Sequence, residues 1–133
     1  FEDTTRVNGE LFEVKKSFNA WSSGIWICSA TGASAAMAAA GGSKMEWDSP
    51  QLQYLIREHL MESDTPPEIK DRGSGILNPR SRLHLRWNSQ EGRIYIDGAH
   101  LFHNIELGDE IIISGKAPEL KLFMDDEYKD MIC

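Results

Sequence analysis

Cysteine is scarce in this chain, and so are long apolar runs and clusters of positive charge. The 133 residues include two cysteines, Cys28 inside an apolar stretch and Cys133 at the last position. Two cysteines so placed do not make a disulfide framework, and a reducing compartment is the simpler reading. No apolar run is long enough to cross a bilayer as a helix. No signal peptide is evident. An intracellular, cytoplasmic location is expected, with an organelle as the alternative. Lys and Arg number 14 against 21 Asp and Glu, for a net charge of −7. That balance argues against duplex DNA or RNA as a partner, because phosphate binding needs clustered Lys and Arg. Docking on an acidic membrane is disfavoured for the same reason. His59, His84, His100 and His103 are scattered, with no supporting cysteine or carboxylate at ligand spacing, so no metal site is expected. Glu58 and Asp109 are lone carboxylates with nothing to pair them for acid–base work. Asp109 reads as a turn former. The chain opens Phe1-Glu2-Asp3 without methionine, which reads as a piece of something longer.

What is present is enough for one domain, 1–133, with an ordinary hydrophobic fraction of 41%. Phe12 and Val14 alternate with Glu13 and Lys15, so Leu11 to Phe18 reads as a strand with one wet face. Ile25-Trp26-Ile27-Cys28 reads as a continuous apolar strand buried on both faces. From Ser49-Pro50 onward two readings stay open. Leu52, Leu55, Ile56 and Leu60 fit a helical stripe, and Tyr54-Leu55-Ile56 also suits a strand. Residues 62–81 hold Pro66-Pro67, Gly73-Ser74-Gly75 and Asn78-Pro79, a composition that predicts a mobile loop. The second half is rich in β-formers: Leu83 to Trp87, Arg93 to Asp97, Leu101 to Ile105, Glu110 to Ser114 and Leu120 to Phe123. Residues 124–133 are acidic and read as a frayed tail. Short strands between Gly and Asn turns predict a mainly β, sandwich-like domain with one or two short helices. The four tryptophans lack periodic spacing and are expected to serve packing.

The segment from Ser29 to Gly42 is the most informative about function. A strand runs into Ser29-Ala30-Thr31-Gly32-Ala33-Ser34-Ala35-Ala36-Met37-Ala38-Ala39-Ala40-Gly41-Gly42, which carries almost no side-chain bulk. Such a run lets a ligand or another segment approach its backbone closely. The alanines predict a short helix over Ser34 to Ala40, stopped by Gly41-Gly42. A helix N-terminus after a turn presents N–H groups to an anionic or polar ligand. The competing reading is a tight turn whose residues are small for steric reasons only.

Ile27-Cys28-Ser29-Ala30-Thr31-Gly32-Ala33-Ser34-Ala35-Ala36 resembles the strand-plus-turn motif of NAD kinases, with Gly41-Gly42 in the place of the family's following Ala/Gly-Gly pair. Gly92-Arg93-Ile94-Tyr95-Ile96-Asp97-Gly98-Ala99-His100 resembles the family's strand ending in Asp-Gly. Leu107-Gly108-Asp109-Glu110-Ile111-Ile112-Ile113-Ser114 resembles its Gly-Asp turn and next strand. Lys116 to Phe123 resembles its closing segment. With Leu52-Gln53-Tyr54-Leu55-Ile56-Arg57-Glu58, the pattern is most similar to plant-type NADH kinases and runs from about Ser22 to Phe123. The resemblance implies a C-terminal, β-sandwich, dinucleotide-binding domain of an enzyme that phosphorylates the adenosine ribose 2′-hydroxyl of NAD or NADH, using ATP and a divalent cation. It implies that Thr31, Gly32, Ser34 and Ala35 line the adenosine part of the dinucleotide, and that Asp97 and Gly98 approach its nicotinamide side. His100, beside that turn, is counted with them as within reach of a phosphate or ribose, against the plainer reading of a surface histidine. The family's Gly-Gly-Asp-Gly motif is missing, so no catalytic residue is expected in this chain, which should be inactive without an N-terminal kinase domain. A homo-oligomer is expected by the same resemblance. Three departures stand against it. Ser23 occupies a frequent aspartate position, Ala36 a tyrosine position and Ala30 a proline position. They motivate the alternative of a non-catalytic β module that kept the scaffold and lost the kinase role.

Overall fold

The computed structural model describes residues 4–7, 10–14, 19–58 and 73–118. Among them run nine strands: β1 (Thr4–Val7), β2 (Glu10–Glu13), β3 (Gly24–Ser29), β4 (Leu52–Arg57), β5 (Ser74–Leu77), β6 (Arg82–Arg86), β7 (Glu91–Tyr95), β8 (Phe102–Glu106) and β9 (Glu110–Ser114). The only helical turns described are a 3-10 turn, Ala30–Ser34, and α1 (Ala36–Ala39). The fold is mainly β, as its turn-punctuated second half requires.

The strands pair antiparallel in four open sheets: β1–β2, β3–β4–β5, β6–β9 and β7–β8. In the second sheet Cys28 stands opposite Gln53, and Tyr54 opposite Gly75. The helical alternative from Ser49 onward does not occur, because β4 is the central strand here and pairs on both edges. The strand expected to be buried on both faces is half-buried, residue by residue, from Gly24 to Cys28. It lies at a sheet edge, whereas full burial belongs to strands covered on both sides. Part of the expected 62–81 loop is ordered, since Ser74–Leu77 forms β5. Its small residues serve close packing: a Cβ on Gly75 would stand 2.8 Å from the Tyr54 ring. The rest of that loop up to residue 72, the strand at Leu120 to Phe123 and the tail 124–133 lie outside the described residues. Of the strand expected from Leu11 to Phe18, residues 11–14 are described, 11–13 of them within β2, and 15–18 lie outside the described residues.

In the second half one hairpin is set inside another. β6 pairs with β9, and the β7–β8 hairpin rises between them. Leu83, Leu85 and Trp87 are half-buried, while His84 and Arg86 face water. Trp87 extends the β6–β9 ladder by donating its N–H to Asp109 O (2.8 Å) and accepting from Gly108 N–H (2.8 Å). The register then steps by one residue, and the inward positions become Gly92 and Ile94, with Ile105 opposite Gly92 buried. A one-residue step exchanges the faces of a strand. The Trp87 ring fills the junction: a Cβ on Gly92 would lie 2.4 Å from Trp87 Cζ2 and 3.0 Å from Ile105 Cγ1. Trp21 is 75% exposed and Trp47 42%, so neither lies in the buried core of this chain. Trp26 instead carries the Arg57 guanidinium 4.4 Å above its ring, a cation–π contact.

The buried centre lies beneath the small-residue segment. Ala30, Ala33 and Met45 form one apolar cluster with Cys28 against it, and Met37 is buried as well. No helix among the described residues is long and apolar enough to cross a membrane.

Candidate functional site

The segment after β3 is not one helix over Ser34 to Ala40 but two short pieces. Ala30–Ser34 is a 3-10 turn, Ala35 interrupts the helical backbone at φ −98°, ψ −123°, and α1 is four residues long. Neither Ser29 nor Ala35 makes a side-chain cap. A helix this short has no sustained dipole, so the argument from a helix N-terminus falls away. The helix stop is as expected. Gly41 takes φ +96°, and Gly41 and Gly42 donate their N–H groups to Ala38 O (3.1 Å) and Met37 O (2.8 Å), closing the last carbonyls as C-terminal glycines do.

The steric reading accounts for part of this run. Ala30, Ala33 and Met37 point inward and are buried, so three of its positions are small or apolar for packing. Thr31, Gly32, Ser34 and Ala35 are the exposed positions between and beside them. The four candidate residues are each exposed, as is Ala36 beside them.

Two side chains from the sheet meet the two ends of the run. A Cβ on Gly32 would lie 3.0 Å from Cys28 Cβ, so the turn sits directly on the end of β3. Burial pushes the Cys28 thiol up from its ordinary pKa, and a protonated thiol is a poor nucleophile. Gln53, opposite Cys28 on β4, is 2% exposed. Its Oε1 accepts the Ser43 N–H at 2.6 Å and its Nε2 donates to Ser43 O at 2.8 Å. Both polar atoms of a buried amide are thereby satisfied by one residue of the loop that follows α1. Position 42 has no room for a side chain: a Cβ there would stand 2.6 Å from Met37 Cγ and 2.9 Å from Gln53 Oε1. Gln53 is invisible to sequence reasoning, because its burial follows from the β4 register, which the 52–60 pattern leaves open.

The second group sits at the tip of the β7–β8 hairpin. Asp97 holds φ +50° and Gly98 φ +123°, and Ile96 N–H bonds Leu101 O at 3.0 Å to close the turn. Aspartate is among the few residues that adopt a left-handed backbone at low cost. The His100 ring lies against Gly98, its Nδ1 3.2 Å from where a Cβ would be. Asp97, Gly98 and His100 are all exposed. Asp109 has the turn role expected of it, its Oδ2 accepting the Glu106 N–H at 2.7 Å. A shallow depression lined by Gln90, Glu91, Glu106 and Leu107 lies at the other end of the hairpin from Asp97.

The seven candidates thus come together as two groups rather than one. The 3-10 turn packs on α1, β3 and β4, and the Asp97 turn belongs to the separate β7–β8 sheet.

This is a small, mainly antiparallel β domain whose buried centre supports an exposed turn of minimal side chains. The chain is a homologue of plant NADH kinases. It is 38% identical over 109 residues to a protein of Arabidopsis thaliana named NADH kinase, covering 82% of this chain and 33% of that one. It is 36% identical over 106 residues to a probable NADH kinase of Oryza sativa subsp. japonica, covering 80% of this chain and 32% of that one. The chain thus spans about a third of the length of these curated relatives. No family model matches it, and no solved structure gives a significant match.

Proposed function

We propose that this chain is the C-terminal, dinucleotide-binding domain of an ATP-dependent NAD(H) kinase, an enzyme that phosphorylates the adenosine ribose 2′-hydroxyl. The observation that carries the reading is its similarity, over four fifths of its length, to two proteins named as NADH kinases. The exposure of all seven candidate residues is consistent with it. Thr31 and Ser34 would offer hydroxyls to the ribose and phosphates. Gly32 would let the ligand reach the backbone, since nothing projects from it. Ala35 would border the adenosine. Asp97, Gly98 and His100 would meet the nicotinamide side from the second hairpin.

Phosphoryl transfer of this kind is an in-line displacement, in which protein groups position the reactants and neutralise charge. This chain's share is positioning. It has no Gly-Gly-Asp-Gly motif, and we place the acid–base residue in an N-terminal kinase domain. The divalent cation would neutralise phosphate charge there. Among the described residues no three His, Cys, Asp or Glu side chains group to hold a metal ion. A homo-oligomeric, intracellular enzyme is expected.

Ser23 and Ala36 favour a second reading, a β module without a kinase role. Ser23 puts a hydroxyl, 3.5 Å from Arg57 O, where the family often has a carboxylate. Ala36 is exposed and offers no ring for adenine to stack upon, a loss on the order of 1 kcal/mol. Equilibrium titration of the chain with NADH and NADPH separates the two. Saturable quenching of nucleotide fluorescence supports the kinase domain; a flat response to both nucleotides supports the module.

A further inference from the structure

We propose that Gln53 is the positioning residue of the Thr31–Ala35 surface, an inference that rests on the nucleotide reading above. Four observations carry it. Gln53 is the one polar side chain among the buried described residues. Both of its hydrogen-bonding ends go to the backbone of Ser43. Its Oε1 closes the space over Gly42, directly behind α1. Its ladder partner Cys28 touches the other end of the same segment at Gly32. One cross-strand pair therefore holds both ends of the run from Ala30 to Ser43. Cys28 supports the first end by contact. Gln53 ties the second by two hydrogen bonds that no apolar side chain replaces. A merely space-filling residue would not need an amide, with its donor and acceptor in fixed places.

The pairing makes a chemical test possible. Glutamate at this position keeps the shape and accepts the Ser43 N–H. It donates to Ser43 O only when protonated. Ionised, it faces that carbonyl with a second acceptor in a buried place, which is costly. The neighbouring titratable groups are Cys28 across the ladder and the exposed Lys44 beside Ser43.

The experiment uses the whole chain with Cys133→Ser, so that Cys28 alone reports. The labelling rate of Cys28 by a thiol reagent and the affinity for NADH are measured for Gln53, Gln53→Glu and Gln53→Met at acidic and neutral pH, each rate taken relative to Gln53 at the same pH. Gln53→Met is expected to label about tenfold faster and to bind NADH about tenfold more weakly at both pH values, as loss of a satisfied buried pair implies. Gln53→Glu is expected to match Gln53 at acidic pH and Gln53→Met at neutral pH. Return of protection on acidification also shows that the variant folds. Gln53→Glu labelling like Gln53 at both pH values overturns the proposal. So does faster labelling of Gln53→Glu at neutral pH with NADH affinity unchanged. If the Gln53 chain shows the expected thiol pattern in its variants yet fails to bind NADH, the nucleotide reading fails and Gln53 remains the residue that positions the turn.

Discussion

Cys28 and Gln53 face each other across the β3–β4 ladder, and the side chains missing at Gly32 and Gly42 are the ones that would strike them. The small-residue run is therefore fitted to two points on the sheet, and the two fits differ in tightness. A Cβ at position 42 meets Met37 Cγ at 2.6 Å and Met37 O at 2.7 Å, whereas one at position 32 meets only Cys28 Cβ at 3.0 Å. Gly42→Ala is expected to lower stability by about 1–3 kcal/mol, the usual cost of overpacking. Gly32→Ala is expected to cost less, since a shift of a few tenths of an ångström relieves it. Urea denaturation of both variants measures the order.

The junction of the nested hairpins depends on Trp87 lying over Gly92. Gly92→Ala drives a Cβ to within 2.4 Å of the indole and is expected to destabilise by about 1–3 kcal/mol. Trp87→Leu removes the obstacle at its own cavity cost. The two changes share a contact, so they should not add. A double-mutant cycle that finds Gly92→Ala as damaging with Leu at position 87 as with Trp would show that the Trp87 ring is not what position 92 is fitted to.

Glu110 gives the β6–β9 ladder an acid-sensitive contact. Arg86 Nη2 donates to Glu110 Oε1 at 2.8 Å, and His84 Nε2 lies 3.5 Å from Oε2. The Arg86 hydrogen bond, with a smaller attraction from His84, holds the Glu110 carboxyl below its ordinary pKa against an opposing effect of desolvation. A carboxyl whose folded-state pKa is depressed contributes stability above its unfolded pKa, and that contribution is lost as pH falls through the folded value. Glu110→Gln is expected to flatten the acid limb of the stability profile and leave the neutral region little changed, because an exposed pair contributes little. Arg86→Gln is expected to return the Glu110 carboxyl toward its ordinary range, which NMR titration of that carboxyl carbon measures.

Asp97 separates turn formation from ligand contact. Its φ of +50° is one that asparagine also tolerates. Asp97→Asn should leave urea stability unchanged. On the proposed function it should weaken NADH binding by about tenfold, the loss of a hydrogen bond to a charged group. Asn binding NADH as tightly as Asp would leave Asp97 a turn former only.

The legible part of this molecule was its β character and its punctuation. The wet-face alternation of Leu83, Leu85 and Trp87, the strand at Glu110–Ser114 and the stop at Gly41-Gly42 all appear as their local chemistry demands. β7 ends before the Asp97 of the sequence reading, because Asp97 and Gly98 take positive φ and turn the chain, and β8 lies one residue later than read. β4 was ambiguous because its stripe fits both periods, and only pairing on both edges decides it. β5 was hidden by glycines that punctuate most sequences but here make room for the Tyr54 ring. Of the candidate site, the hydroxyls and the Asp-Gly turn were readable one by one. Gln53 was not, since nothing local distinguishes a clamping glutamine from an exposed one.

On the proposed function, Thr31–Ala35 and the Asp97–His100 turn serve one nucleotide. Titration of the isotope-labelled chain with NADH, followed by amide NMR shifts, tests it most directly. Amides of both groups are expected to move along one saturation curve with a single dissociation constant. Movement of one group alone, or no saturable movement at either, would contradict it.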